Sequence, residues 1–432
     1  YIYEAEILGL TAASHYTYRV QSNGSWSPEY WFDTAPTDPC APFAFAVLGD
    51  NRSQDSTGAD PKWNSILGEA IENGAAFVLN TGDLVKDGDE VAQWKNYLET
   101  TDPLHSHFLI FPSIGNHDDD KVQGEGALYN MLFQLPRNEK TNTEDFYFVT
   151  YGDAIFVSLT TQNFKDDGFA LQAKWLDKVL SENPKRWKFV FFHHPIYTSA
   201  DPFGLVHPPN EQGQNGAFVP IFDKHHVDIV FSGHNHFYER FHPMKGGGGS
   251  DEGNQAQGFG DGTVYVTTGG AGALTFDLAG DIFKLFCPSA KGSAICDGRH
   301  HYVRVNIDKN TLTMTTIATS AQNFDSNPNN VEELDKITIT KTEAIECEAE
   351  GTGTDTGTDD GDDTGNDDTT SAGVDTATDS DTGTDVGTGT DDGTDTAGTD
   401  TTDTGDGSTT TDTGSDTTGE TDSGTNDQGD TQ

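Results

Sequence analysis

Basic residues are scarce in this chain, and two other features are absent. Its 432 residues include 24 Lys and Arg against 71 Asp and Glu, which gives a formal net charge of −47 at pH 7. A surface this acidic argues against nucleic acid and anionic membrane surfaces as partners, because both carry negative charge. No apolar run reaches about 18 residues, so we expect no membrane span. No signal peptide is seen either, but the chain opens on Tyr1 rather than Met, so that absence decides nothing.

Cysteine is also rare, with residues only at Cys40, Cys287, Cys296 and Cys347. The acidic surface favours a secreted or salt-tolerant protein, extracellular or at the cell surface, and in an exported chain four cysteines indicate two disulfides. Their placement predicts that Cys287 pairs with Cys296 around a short loop and that Cys40 pairs with Cys347 at the two ends of a domain. Other pairings, or four free thiols, stay open on the sequence alone.

Apolar residues are almost missing from one part of the chain. Residues 351–432 hold 23 acidic residues and no Lys or Arg, and the remainder is mostly Thr, Gly and Ser. So few apolar side chains cannot offset the entropy lost on ordering, so we predict a disordered Thr/Gly/Asp-rich acidic tail. An extended spacer or glycosylated stalk is favoured over calcium capture, because no spacing matches a calcium loop with its closing Glu. Such a tail would suit attachment to the cell surface.

Five short polar segments follow apolar runs and carry the residues most suited to chemistry. They are Gly49-Asp50-Asn51-Arg52, Gly82-Asp83, Gly115-Asn116-His117-Asp118, His193-His194-Pro195 and Gly233-His234-Asn235-His236. The apolar runs predict buried strands at 43–48, 77–80, 108–114, 189–192 and 227–231. Open α/β sheets place their sites at the carboxyl ends of such strands. Asp, Asn and His together form a ligand set for zinc, iron or manganese, and two adjacent ions suit phosphoryl chemistry.

At these residues the chain resembles the calcineurin-like metallophosphoesterases, over roughly residues 1–341. The segment Gly233-His234-Asn235-His236-Phe237-Tyr238-Glu239-Arg240 matches the Gly-His-x-His-x-Tyr-Glu-Arg signature of the purple acid phosphatase branch. One such motif is weak evidence, but five in order on the expected elements are strong evidence. The resemblance implies an α/β fold, a layered β-sandwich flanked by helices, and a hydrolase that acts on phosphate esters.

Three parts of the chain are predicted. Residues 1–37 resemble the last strands of a fibronectin type III sandwich, with candidate strands at 3–8, 16–20 and 30–33. Residues 41–341 are expected to form the catalytic domain, with helices at 63–73 and 171–180 and a closing pair of strands within 303–317. The glycine-rich residues 246–261 predict a mobile surface loop in this domain. Residues 351–432 are the tail.

The resemblance implies two metal ions, of zinc, manganese or iron, with Asp83 as the carboxylate that bridges them. One ion would be held by Asp50, Asp83 and His236, and the other by Asp83, Asn116, His193 and His234. A metal-bridging hydroxide would be the nucleophile, because the ions lower the pKa of bound water. Taken singly, Asp50 and Asp83 equally suit helix N-caps, and His193 suits a packed histidine. The joint pattern favours ligands.

The same resemblance assigns catalytic roles to His117 and Asp118, and Arg52 is a third catalytic candidate because of its guanidinium group. In the family the histidine after the Asn ligand lies near the leaving group and the following acid orients it, and His117 and Asp118 take these places. Arg52 stands where the wider superfamily has a metal-binding histidine, and Lys86 stands where purple acid phosphatases have an iron-binding tyrosine. The first ion therefore lacks one ligand unless water, Asn51 or another oxygen supplies it. Arg52 would suit a substrate phosphate or a structural ion pair with a neighbouring carboxylate.

These patterns favour a secreted metal-dependent phosphoesterase that hydrolyses small phosphate monoesters. A phosphodiesterase or nucleotide hydrolase of the same fold is the alternative among enzymes, because the substrate-selecting loops, such as 201–216, do not reveal their specificity. A non-catalytic surface protein with a degenerate metal site is the alternative of another class, favoured by Arg52 and Lys86 and opposed by His117. His194 is expected to support the ligands, and His207 is left open as a substrate contact.

Overall fold

The computed structural model describes residues 3–52, 61–119, 127–162, 169–200, 207–247, 253–275, 287–288, 290–319, 332–343, 345 and 347. The strands in chain order are β1 (His15–Tyr18), β2 (Gln21–Ser22), β3 (Ser25–Trp26), β4 (Tyr30–Asp33), β5 (Phe43–Leu48), β6 (Phe77–Asn80), β7 (Leu109–Pro112), β8 (Tyr147–Tyr151), β9 (Ala154–Ser158), β10 (Trp187–Phe192), β11 (Ile229–Ser232), β12 (Tyr238–Phe241), β13 (Met244–Lys245), β14 (Asn254–Gln255), β15 (Val264–Thr268), β16 (Ser293–Asp297), β17 (His301–Asp308), β18 (Thr311–Ala318) and β19 (Glu332–Thr340). The helices are α1 (Pro61–Glu72), α2 (Val91–His105), α3 (Ala127–Leu132), α4 (Ala170–Glu182) and α5 (Asn215–His225).

Two large sheets carry the parallel strands that the sequence predicted. One has the order β19-β18-β17-β5-β6-β7, and Leu48, Asn80 and Pro112 lie in register at the carboxyl ends of its parallel strands. The other has the order β16-β12-β15-β11-β10-β9-β8, in which Phe192 is paired with Ser232 at the carboxyl ends of β10 and β11. In each sheet the carboxyl ends of the central parallel strands therefore lie along one edge.

A layer of aromatic side chains joins the two sheets face to face. The ring of Phe45 lies 4.9 Å from that of Phe156 and 5.0 Å from that of Phe189, and Phe77 lies 5.1 Å from Phe156. All four rings are buried in one core cluster that draws on both sheets. Edge-to-face aromatic pairs at this spacing add to the stability gained by burial. This packing fixes one sheet against the other.

Helices cover the outer faces of both sheets. Trp63, Ile66 and Leu67 of α1 are fully buried beside residues of β5 and β6, while Trp175 and Leu176 of α4 pack beside residues of β9 and β10. These side chains recur at helical spacing, which is why the sequence predicts both helices. The layered α/β fold, a β-sandwich flanked by helices, is therefore confirmed.

The segment before the sandwich differs in part from its prediction. Strand β1 pairs with β4, and β2 pairs with β3. The strands expected at 16–20 and 30–33 are found at His15–Tyr18 and Tyr30–Asp33. The strand expected at 3–8 is wrong, because these residues form no strand. Tyr3 and Leu8 are largely exposed, so the alternating apolar side chains do not pack against a core. The fibronectin resemblance stays a prediction.

Both predicted disulfides are present, Cys40–Cys347 and Cys287–Cys296. The expected glycine-rich loop is partly a hairpin, because β14 within it pairs with β13; residues 248–252 lie outside the described residues. The predicted tail, 351–432, lies outside them as well. In the part of the chain that the structure describes, none of the helices is both long and apolar enough to cross a membrane.

Candidate metal centre

Six candidate ligands meet where the parallel strands of both sheets end. Strands β5, β6 and β7 are followed by Asp50, Asp83 and Asn116, and strands β10 and β11 by His193, His234 and His236. The main-chain N–H of His234 donates to the carboxylate of Asp50 at 2.9 Å, although the two residues are 184 positions apart in the chain.

Four of these side chains form one cluster, which we call the amide cluster after Asn116. The Oδ1 atom of Asn116 lies 3.0 Å from His193 Nε2 and 2.9 Å from His234 Nδ1. The two nitrogens are 3.3 Å apart, and His193 Nε2 lies 3.2 Å from Oδ1 of Asp83. Two imidazoles, an amide oxygen and a carboxylate therefore converge on one point.

The ring protons of the candidate ligand histidines are held away from the centre. His193 Nδ1–H donates to the carbonyl of Thr81 at 2.9 Å, His236 Nδ1–H to the carbonyl of Leu274 at 2.9 Å, and His234 Nε2–H to the carboxylate of Glu211 at 3.0 Å. In the neutral rings the opposite nitrogens are then acceptors, and in the amide cluster they face oxygens that are also acceptors. A cation would remove this repulsion, so the donor set fits a metal ion.

Asp50, Asp83 and His236 form the second cluster, which we call the aspartate cluster. One ligand atom from each lies within 4.8 Å of the others. His236 Nε2 is 3.5 Å from Oδ1 of Asp50, whose carboxylate is fully buried. Asp83 belongs to both clusters, where a bridging carboxylate would stand. The clusters offer four donors to one ion and three to another, and the ligand roles stay predictions.

The backbone is strained at three of these residues. The φ angles of Asp50, Asp83 and His234 are 59°, 59° and 67°, a left-handed conformation that costs non-glycine residues about 1–3 kcal/mol each. Two glycines of the motifs make room for the carboxylates. A Cβ atom on Gly115 would come within 2.2 Å of Asp83 Oδ1, and one on Gly233 within 2.4 Å of Asp50 Oδ2. Surrounding packing holds both carboxylates in place.

Burial and local charge set the protonation of the centre. Burial would raise the pKa of Asp83, but the neighbouring His193, His117 and Arg52 outweigh it and lower that pKa well below its usual range. Burial lowers the pKa of His193 and brings the pKa of His207 to about 4. An ionised carboxylate and a neutral imidazole are the forms that bind a metal ion, and these shifts favour them at Asp83 and His193.

The hydrogen bonds of Asp118 differ from the role that the family resemblance assigned to it, which was to orient His117. Its buried carboxylate accepts four backbone N–H groups at 2.8–3.1 Å, from Asp83, Leu84, Val85 and Gly115. The ring of His117 instead donates from Nδ1 to the carbonyl of Lys86 at 2.6 Å. The prediction that Asp118 orients His117 is therefore wrong. Asp118 ties together the loops that follow β6 and β7.

Arg52 forms the ion pair that the sequence left open as one of two roles. Its Nε lies 3.2 Å from Oδ2 of Asp83, and its side chain is 13% exposed. Both ends of the Asn51 side-chain amide have protein partners, since its Oδ1 accepts from Asn80 at 2.8 Å and its Nδ2 donates to the carbonyl of Leu84 at 3.0 Å. A ligand role for Asn51 stays a prediction. The aspartate cluster therefore has a guanidinium beside it.

Glu211 is the residue at the centre that the sequence did not reveal. Its carboxylate meets His234, whose ring also lies 4.3 Å, between centroids, from the rings of both His194 and His207. His194 Nδ1 is 2.9 Å from the hydroxyl of Thr161, which agrees with a supporting role. In the sequence, only its position four residues after His207 could have indicated that Glu211 lies near the centre.

The family model described as calcineurin-like phosphoesterase matches residues 43–238, which contain all six candidate ligands. These residues, a little under half of the chain, are the part that is similar to the calcineurin-like phosphoesterase family. The resemblance inferred from the five motifs is thus confirmed.

Two curated relatives to which this chain is similar are Arabidopsis thaliana proteins. Purple acid phosphatase 22 is 26% identical over 248 residues, which cover 56% of this chain and 54% of that protein. Fe(3+)-Zn(2+) purple acid phosphatase 12 is 24% identical over 261 residues, which cover 56% and 52%. The chain therefore spans about half the length of the curated relatives it matches.

A solved structure shares the fold. Purple acid phosphatase PPD1 from yellow lupin seeds superposes with a TM-score of 0.58 at 20% identity, over 77% of this chain and 60% of that one.

Proposed function

We propose that this chain is a metal-dependent phosphoesterase that hydrolyses small phosphate monoesters, with two metal ions at the two clusters. The proposal depends on one observation, the convergence of donor atoms from Asp83, Asn116, His193 and His234. The ring protons of the two histidines are donated away from this point, to Thr81 and Glu211. Two ions of zinc, manganese or iron, when bound, would activate water and offset the charge of a phosphate. The family match and the relatives named purple acid phosphatases support this choice.

His117 would supply the proton to the leaving group. Its Nδ1–H is committed to the carbonyl of Lys86, so Nε2 is the nitrogen that exchanges protons. The main-chain N–H of His117 donates to Oδ1 of Asp83 at 3.0 Å, which ties the residue to the centre.

Arg52 would help to bind the phosphate. Its Nε contacts Asp83, and the terminal amino groups of the guanidinium would donate to phosphate oxygens. The same ion pair favours a second candidate function, a non-catalytic metal-binding protein, because a fixed cation beside the aspartate cluster competes with a metal ion there.

The test uses the full chain, stripped with a chelator and reloaded with Zn²⁺, Mn²⁺ or iron in separate samples. We expect metal-dependent turnover of p-nitrophenyl phosphate and a lower kcat/KM for bis(p-nitrophenyl) phosphate. A preference for the diester would point to the phosphodiesterase alternative. Metal binding without turnover of either compound would favour the non-catalytic protein.

We also propose that the protein acts outside the cell. Its two disulfides form and persist in oxidising compartments, which supports export. The proposed parts are the segment 1–37, the catalytic domain 41–341 and the tail 351–432. The strands of the two large sheets lie between Phe43 and Thr340, which supports the proposed catalytic domain.

A further inference from the structure

One candidate ligand histidine has a different kind of partner behind its ring. His193 and His236 donate to main-chain carbonyls, whereas His234 donates to the carboxylate of Glu211, at 3.0 Å from its Nε2 atom. A carbonyl is a neutral acceptor that every residue carries. A carboxylate is a charged acceptor that only Asp or Glu can place there, and charge-assisted hydrogen bonds are roughly twice as strong as neutral ones.

The loop that carries Glu211 is fixed on both sides of that residue. Oδ1 of Asn210 accepts the N–H of Asn215 at 2.8 Å, and Nε2 of Gln214 donates to the carbonyl of Pro195 at 3.1 Å. The loop is thus bonded to the segment that follows β10, which also carries His193. Glu211 is therefore presented to His234 by an anchored backbone, although its own side chain is 27% exposed.

The hydrogen bond determines which nitrogen of His234 carries the proton. An ionised carboxylate can only accept, so a proton lies on Nε2, and in the neutral ring the lone pair then lies on Nδ1. That nitrogen is 2.9 Å from Oδ1 of Asn116, inside the amide cluster. A carboxylate behind an imidazole also raises the donor strength of the opposite nitrogen.

We propose that Glu211 is a positioning residue that holds His234 in the Nε2–H tautomer and so strengthens metal binding at the amide cluster. The inference rests on the proposed function only in taking that cluster as a metal site. Glu211 acts from behind the ring, on the side opposite to the converging donors.

The test measures Zn²⁺ affinity of the full chain by competition with a chelator. Glu211→Ala is expected to weaken binding at one site by about 10–100-fold. Glu211→Gln keeps an amide oxygen that can accept from Nε2–H, so its loss is expected to be smaller. The matched control is Glu182→Gln on α4, whose side chain is 61% exposed and pairs with Lys178, and it should bind Zn²⁺ as the wild type does.

A second readout follows the tautomer directly. In long-range ¹H–¹⁵N NMR spectra of the metal-free, ¹⁵N-histidine-labelled chain, His234 should be the Nε2–H tautomer, with its signal assigned by His234→Gln. Glu211→Ala should convert it to a mixture. Equal melting temperatures of the metal-free variants would show that the effect is not unfolding, and if Glu211→Ala does not fold, Glu211→Gln is judged by the same two measurements.

The outcomes separate this inference from the proposed function. Wild-type Zn²⁺ affinity and an unchanged tautomer in the Glu211 variants would overturn the role of Glu211 while phosphatase activity stood. A wild-type chain that binds no Zn²⁺ would overturn both.

Discussion

The guanidinium Nε of Arg52 lies 3.2 Å from Oδ2 of Asp83, the carboxylate that the two donor clusters share. Arg52 follows Asp50 by two residues, at the position where the family resemblance implies a metal-binding histidine. Arg52 thus places a positive charge, and no metal-binding group, beside this carboxylate. We expect both features to weaken the affinity of the aspartate cluster for a cation.

Arg52→His should therefore tighten metal binding at the aspartate cluster by about tenfold or more, because it adds an imidazole and removes the competing charge. Zn²⁺ content per chain after dialysis and a Zn²⁺ titration measure this. Arg52→Ala is the matched control, which removes the charge without adding a ligand. If both variants bind Zn²⁺ equally, the imidazole contributes nothing and the assignment of this position fails.

Asp83→Asn should abolish turnover and lower metal content, because the shared carboxylate would become a neutral amide at both clusters. We expect turnover of p-nitrophenyl phosphate to fall by about 10³-fold or more, with metal content measured on the same sample. The control is Asp87→Asn, four residues along, where the carboxylate is exposed. Wild-type turnover in Asp83→Asn would contradict the proposed centre.

His117→Ala should slow turnover by about 10²–10⁴-fold while the chain keeps its metal, because it removes a proton donor and leaves the ligands in place. Kinetics and metal analysis of one preparation check both halves of the prediction. Loss of the metal together with activity would instead mark His117 as part of the metal site.

Asp118→Asn should lower the free energy of unfolding by about 3 kcal/mol, because the new amide group would turn a donor toward two of the four N–H groups that the carboxylate now accepts. Urea unfolding of the metal-free chain measures this, with His117→Ala as the variant expected to keep its stability. Reduced turnover at unchanged stability would contradict this structural role and would indicate that Asp118 orients His117.

Removal of the Cys40–Cys347 disulfide by Cys40→Ser and Cys347→Ser should lower the free energy of unfolding by about 2–5 kcal/mol. The cysteines are 307 residues apart, whereas Cys287 and Cys296 are 9 apart. In the chain-entropy model the longer loop gives the larger loss, so the second pair of substitutions should cost less. Equal losses in denaturant unfolding would contradict this ordering.

Much of the centre was readable from the sequence because its signals are local. An apolar run such as 43–48 predicts a buried strand, and the polar residue after it must lie at the end of that strand. The same reasoning placed Asp83 and His193 at one edge, and the family resemblance named the residues that should meet there. The strand predicted at 3–8 failed because its apolar residues are exposed in the structure.

The amino-acid sequence by itself determined which residue types stand at the strand ends, since backbone preference and apolar periodicity act over a few residues. Only the tertiary structure decided what each side chain contacts. Asp118 binds main-chain groups 33 to 35 residues away, and Glu211 reaches His234 across 23 residues. His117 is oriented by the main-chain carbonyl of Lys86. Every residue type has such a carbonyl, so the side chain at position 86 could not indicate this contact. A hydrogen bond is decided by distance and direction within a few tenths of an ångström, and the packing of two sheets sets those, not the order of residues along the chain.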